Sequence, residues 1–435
     1  MKGFFKILFC ALIVDFFYFS TPLSFTRGVN TKLIMSVFGL ATFIIFNMRR
    51  REFKVSREMV LLTVLATGVS LASYLAMTIN NTRDNAYLTY VISMLVWLAA
   101  AYMMIRVLKA AYGKVTIGLV ADYIIVLSVI QCTIAILGNM FESVNLMIKA
   151  VYPGTGWLDS VNRMYGIGDT TALDVGGIRY SIACIFCAYM LVKTQGKKDG
   201  LIPWYLFAYM YITVIGNMIA RTTTVGAVIA LAYILVYTFS NSKVSYSKIK
   251  IMGWMVAVLT FIVAISTWLY NTNDIFHTNL RFAFEGFFSL VETGEWHVGS
   301  NDVLMDMYVF PDNTKTWIIG DGYFSNPYAD PNFLGEITEG YYMNTDVGYL
   351  RFIFYFGVIG LIIFSIMIWY AGKICRQKFP EDILLFLILT ALNYIIWLKV
   401  ATDCFFILGV FIALAYVRDY MDQPDEIPEE VSDSE

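Results

Sequence analysis

The sequence predicts an all-α polytopic membrane protein, and three observations carry that prediction. Of its 435 residues, 58% are hydrophobic and only 15% are charged, whereas a soluble globule is roughly a quarter charged. Apolar runs long enough to span a bilayer, roughly 17–25 residues, recur about twelve times. The short connections between alternate runs are rich in Lys and Arg, the asymmetry that orients membrane helices.

Taken in order, the runs fall at 4–20, 31–48, 59–78, 86–105, 116–138, 178–193, 201–219, 223–240, 251–270, 347–371, 382–398 and 402–417. The first run is long enough to anchor the chain and lacks a small-residue cleavage site. The basic side carries Lys2, Lys6, Arg49, Arg50, Arg51, Lys54, Arg57, Arg106, Lys109, Lys114, Lys193, Lys197, Lys198, Lys243, Lys248, Lys250, Lys373, Arg376, Lys378 and Arg418. The expected topology is therefore twelve helices with both termini in the cytoplasm. Residues 1–270 hold helices one to nine, 271–345 a large outer loop with short helices, and 346–420 the last three helices. The acidic, proline-containing segment 421–435 reads as a disordered cytoplasmic tail.

The outer side is poorer in cations, but they differ in kind. Lys32, Lys149, Lys315 and Lys399 are outnumbered there by Arg27, Arg83, Arg163, Arg179, Arg221, Arg281 and Arg351. Arginine grips phosphate in bidentate fashion, whereas lysine acts as a point charge. A net charge of −2 argues against a nucleic-acid partner. Neither a Walker A sequence nor metal-ligand spacing is present. The six cysteines lie in helices or at the basic side, so no disulfide framework follows. The Cys184/Cys187 C-x-x-C sits in an apolar helix and reads as packing.

Individual segments refine this picture. Asp15, inside the first helix, either positions an arginine or satisfies an internal hydrogen-bond network. Residues 139–177 form a glycine-rich outer segment whose Gly166 and Gly168 open no dinucleotide-binding unit. It reads as a loop re-entering an outer cavity, which a bilayer tolerates only where protein or water satisfies the backbone. Arg179, Arg221 and Arg351 each stand near the outer start of a helix, where the helix dipole disfavours a cation. One such residue could snorkel to lipid phosphates; three suggest a diphosphate site built with helix N-termini. The loop at 271–345 is acidic and aromatic, holds His277 and His297, and suits carbohydrate, although many of its aromatics must form its own core. Last comes TDVGYLRFIFYFGVIG, residues 345–360. It places Asp346 at the mouth of a helix and Arg351 about 7 Å deeper at helical rise. Asp346 is either a general base or a helix cap, roles that are compatible.

Four features occur in a telling order: Arg221 in ARTTTVGAVIA, the late outer loop, its glycine turn WIIGDGYF with Gly320 and Gly322, and TDVGYLRFIFYFGVIG. Over roughly residues 160–371 this arrangement resembles the O-antigen polymerase and ligase superfamily. The resemblance implies a metal-independent, GT-C-like membrane glycosyltransferase without a cofactor, acting on undecaprenyl-diphosphate-linked oligosaccharide at the outer face of a bacterial cytoplasmic membrane. Membrane lipid and a chain-length regulator protein are the further partners it implies. In the ligase branch a histidine opens the last motif; Asp346 stands there, which favours a repeat-unit polymerase. The expected catalytic residues are Asp346 as base, with Arg221 and Arg351. Arg163, Arg179, Arg281, Tyr349, His277 and His297 are the expected substrate ligands, the histidines being substitute bases. Ligation to lipid A-core, or flipping of the lipid-linked oligosaccharide, are the competing readings.

Overall fold

A computed structural model describes residues 2–22, 29–49, 55–151, 163–194, 199–239, 246–325, 330, 332–333 and 340–421. Arg27, Arg50, Arg51, Lys54, Lys197, Lys198, Lys243 and the tail from 422 onward, used in the topology reading, lie outside them. The apolar runs form α1 (Lys2–Tyr18), α2 (Thr31–Arg49), α3 (Arg57–Asn80), α4 (Tyr90–Tyr112) and α5 (Ile117–Met140). After a short α6 (Glu142–Val151) come α7 (Leu173–Thr194), α8 (Ile202–Ile219), α9 (Thr223–Phe239) and α10 (Tyr246–Thr272). In its described residues the large loop forms four short α-helices, α11 (Asp274–Ala283), α12 (Glu285–Thr293), α13 (Gly299–Asp306) and α14 (Thr314–Ile319). The chain then enters α15 (Gly348–Lys378), α16 (Ile383–Ile396) and α17 (Phe405–Met421).

Eight of these helices, α2–α5, α7, α8, α10 and α15, are long and apolar enough to cross a membrane. Helices α1, α9, α16 and α17 are apolar but have 17, 17, 14 and 17 residues. Helix α10 shows what solvent they require: only 6% of its most apolar window is buried by protein. A helix that apolar and that bare needs lipid around it. The chain is a multi-pass membrane protein.

Helix α7 is the hub, with 89% of its apolar window buried. Glycine brings α9 against it, because a Cβ on Gly226 would stand 2.2 Å from the Cα of Ser181. Close approach at small residues is how helices associate where no hydrophobic force separates lipid from protein. Ser181 Oγ donates to the Thr222 carbonyl at 2.9 Å, fixing Arg221 and Thr222 beside the start of α7. That start is five residues earlier than the sequence suggested, so Arg179 lies inside the helix and 2% exposed rather than at its mouth.

The segment preceding α7 is buried as a re-entering loop should be. The Ile167 amide donates to Gln131 Oε1 at 2.9 Å and the Asp169 amide to the Phe19 carbonyl at 2.8 Å. Gln131 Nε2 in turn donates to Asp15 at 3.3 Å. Asp15 therefore serves an internal network and touches none of the arginines among the described residues.

Helix α15 is broken. Phe356 and Gly357 leave helical geometry, Gly357 at φ +69°. The carbonyls this frees do not face lipid, where an unpaired carbonyl would cost several kcal/mol. Asp321 donates its amide to the Phe354 carbonyl at 2.6 Å, and Gly322 to the Tyr355 carbonyl at 3.0 Å. The WIIGDGYF turn is thus inserted into the break. Gly320 and Gly322 have φ +84° and +74°, and a Cβ on Gly320 would lie 2.6 Å from the Tyr355 backbone. The α3–α4 connection holds the turn from the other side: Thr82 donates to the Gly322 carbonyl at 2.9 Å and Asn80 to the Gly320 carbonyl at 3.0 Å. An aromatic cage of Tyr87, Phe324, Phe352, Phe356, Phe364 and Trp397 surrounds the break, with ring centroids 5.0–6.3 Å apart.

A Cβ at Gly357 would meet the Ile318 carbonyl oxygen at 2.1 Å, and its φ of +69° with ψ of −177° is a region essentially reserved for glycine, which costs another residue roughly 1–3 kcal/mol. Gly357→Ala is expected to lower the thermal unfolding midpoint of the detergent-solubilised protein by several degrees. Gly253→Ala, on α10 with nothing within 4 Å of its added Cβ, leaves the midpoint unchanged or raises it.

Candidate functional site

The residues that gather at the loop end of the bundle come from four places. The first arm of α15 supplies Arg351, and the residues before it supply Asp346. The start of α7 supplies Asp174, and the turn before α9 supplies Arg221 and Thr222. The α16–α17 connection supplies Lys399. That connection is tied to α15: the Tyr349 amide donates to the Trp397 carbonyl at 3.0 Å, and a Cβ on Gly348 would stand 2.4 Å from the Val400 carbonyl oxygen.

Arg351 is 6% exposed. Its guanidinium carbon sits 3.8 Å from the centroids of both Phe324 and Tyr341, and Nη2 donates to the Phe324 carbonyl at 3.1 Å. Nη1 lies 3.6 Å from Asp346 Oδ1, an ion pair too long for a hydrogen bond. Nε is buried and has no hydrogen-bond partner among the described residues. The two side chains expected in separate layers therefore meet at their tips. Asp346 is not the helix cap. Val347 occupies that position, with no side-chain capping bond.

Loosely held by Arg351 and half-buried, the Asp346 carboxyl is pushed from 3.8 up to about 7, chiefly by burial. Asp174 raises it further, while Arg351 and Lys399 oppose the shift. Asp174 in turn accepts from Thr222 Oγ1 at 3.0 Å and pairs with Lys399 Nζ at 3.9 Å. The result is a partly exposed basin in which two carboxylates face two cations. A carboxyl near 7 is half ionised at neutral pH, the condition under which a carboxylate best serves as a base.

Arg221 borders the basin, and each of its three guanidinium nitrogens already makes a hydrogen bond. It donates to Glu285 at 2.6 Å, to Ser300 at 2.5 Å and to the Phe282 carbonyl at 3.1 Å. It anchors the α11–α13 loop, a role the sequence reading did not foresee. Arg163 and Arg221 lie on the same ring, 4.8 and 3.9 Å from the Phe282 centroid. Arg281 is committed to Glu292 in a bidentate pair at 2.7 and 2.8 Å. With Arg221 and His297 it lines a cavity of about 620 Å³; His297 is exposed and paired with Asp302 at 2.8 Å. His277 packs against Tyr270 with ring centroids 4.2 Å apart and planes tilted by 54°. Tyr349 turns toward α16 and donates to the Tyr394 carbonyl at 3.0 Å, so it holds the helix entry instead of facing the basin. Arg179 pairs with Asp169 at 2.8 Å and lies 3.4 Å from the Phe406 centroid, in a separate buried network.

The chain matches no family model, no curated protein and no solved structure. The site is therefore argued from its own chemistry. Of the residues the sequence singled out, Asp346, Arg351, Arg221 and Arg163 lie in or beside one basin. Asp174, Lys399 and Thr222 were missed. Lys399 was visible as a cation at the outer edge of an apolar run, and Asp174 as an acid two residues before the Gly-Gly pair of α7.

Because the folded Asp346 carboxyl lies above its unfolded value, its share of stability is full below about pH 4 and is lost as pH rises toward 7. The carbonyl-stretch band of the protonated acid, followed by difference infrared spectroscopy, should titrate near 7 and vanish in Asp346→Asn. Its midpoint should rise in Arg351→Met and fall in Asp174→Asn, since the first removes an opposing charge and the second a reinforcing one. A midpoint below 5 in the unaltered protein contradicts this account of the site.

Proposed function

We propose that the chain is a polysaccharide repeat-unit polymerase: a membrane glycosyltransferase with twelve spans, both termini in the cytoplasm and a GT-C-like arrangement. The substrate in this reading is a glycan on a lipid diphosphate at the outer face of the membrane. The observation that carries it is a part-buried carboxyl, which burial raises toward 7, 3.6 Å from a buried guanidinium whose Nε has no hydrogen-bond partner among the described residues, at the loop end of the bundle. In the step, an acceptor hydroxyl on the non-reducing end of another lipid-linked unit attacks the anomeric carbon of the donor. Asp346 takes the hydroxyl proton as the new C–O bond forms. The bond from the anomeric carbon to the diphosphate breaks, and the lipid diphosphate leaves with the electron pair. Arg351, through Nε, and the cations Lys399 and Arg163 offset the charge that develops on the leaving group. Arg221 contributes by holding the loop that walls the basin.

In cells lacking the gene and complemented with variants, surface glycan resolved on a gel gives the test. Asp346→Asn should cut polymer formation by roughly 10²–10⁴-fold, leaving single-repeat glycan attached and no long ladder. Arg351→Met should do the same through lost charge stabilisation, by roughly 10²–10³-fold. Loss of the single repeat as well would point to ligation or flipping instead. A normal ladder in both variants rejects the assignment.

A further inference from the structure

We propose that a cavity of about 450 Å³ beside the basin, between α5, α6, α11 and the loop residues 163–165, is a glycan subsite that takes one or two neutral sugar residues of the lipid-linked substrate. The inference rests on the polymerase reading and gives that site its second half. Its volume lies within the roughly 300–1,000 Å³ of small-molecule sites.

The lining argues for hydroxyl-rich ligands. Three carboxamides, Asn139, Asn145 and Asn279, face it together with Tyr165. An amide offers donors and an acceptor on one side chain, which suits sugar hydroxyls that both give and receive. These amides are held in place from behind. Asn279, 4% exposed, donates to Asn139 Oδ1 at 3.1 Å and to the Ile275 carbonyl at 3.0 Å. The buried Tyr165 hydroxyl donates to Asn145 Oδ1 at 2.9 Å. Among the described residues these bonds leave Asn279 Oδ1 and the Nδ2 groups of Asn139 and Asn145 for a ligand. Such prior ordering is what lets a polar site bind without first paying for its own immobilisation. Ala135, Ile148 and Met164 supply apolar floor.

The lining carries no excess of cations that would call for an anion, since Asp274 accompanies Arg163. Position ties the cavity to the basin. Arg163 borders the cavity on one side and shares the Phe282 ring with Arg221 on the other. A glycan whose diphosphate lies against Arg351 and Arg163 can therefore extend past Arg163 into the amide-lined space.

The probe is the repeat-unit oligosaccharide released by mild acid from the lipid-linked pool of the expressing cells. Its binding to the full-length protein in lipid nanodiscs is read by saturation-transfer NMR and by calorimetry. Unaltered protein and the Gly253→Ala control, with nothing within 4 Å of its added Cβ, should bind it alike. Asn145→Ala, at the rim, should weaken binding about tenfold, the worth of one or two hydrogen bonds, and Asn279→Leu should abolish it. Should Asn279→Leu prove unstable in a thermal melt, Asn145→Ala decides alone. No binding by unaltered protein at millimolar concentration, or equal binding by both Asn variants, overturns the subsite. The two readings fail separately: a normal ladder in Asp346→Asn rejects the polymerase, whereas cavity variants that bind normally reject only the subsite.

Discussion

The insertion of residues 318–322 into the break of α15 is the constraint on which the rest depends. A helix interrupted within a membrane protein frees backbone groups that lipid cannot satisfy. Here the amides of Asp321 and Gly322 satisfy them, and only glycine at 320, 322 and 357 allows two backbones to come so close. The consequence is positional. The eight residues ahead of the break become a short arm, pinned by the glycine turn at one end and by the α16–α17 connection at the other. Arg351 projects from that arm and Asp346 from its root.

The electrostatics follow from the same packing. Arg351 is wrapped by the faces of Phe324 and Tyr341, a cation–π arrangement that gains strength when desolvated. Because rings hold much of the guanidinium, its carboxylate partner stands off at 3.6 Å and is only partly stabilised as an anion. Burial then wins over attraction, and the Asp346 carboxyl rises toward neutrality instead of falling as a tightly paired aspartate would. A short, bidentate pair such as Arg281–Glu292 shows the contrasting case, holding Glu292 below its ordinary value. One pair is built for structure; the other leaves a proton acceptor poised.

Much of the bundle was legible in the sequence because hydropathy over some twenty residues is a local quantity. Each expected run is matched by an apolar helix, and the 271–345 loop carries its short helices. The gaps arose where partners are distant in sequence. The loop-anchoring role of Arg221 was hidden because Glu285 and Ser300, 64 and 79 residues away, gave no local sign of reaching it. Tyr349 looked functional until Tyr394 took its hydroxyl. The glycines of WIIGDGYF and the Phe356–Gly357 pair were both visible, but nothing local says that one fits into the other. Lys399 and Asp174 reach Asp346 only through helix packing, so composition and spacing could not nominate them.

A structure of the Asp346→Asn protein in lipid nanodiscs with its lipid-linked oligosaccharide bound is the most direct measurement. The account predicts the diphosphate at the loop end, within hydrogen-bonding distance of Arg351 Nε and close to Lys399 and Arg163, with the acceptor hydroxyl facing residue 346. A diphosphate lodged at the opposite, lysine-rich end of the bundle, or one making no contact with Arg351, would contradict it.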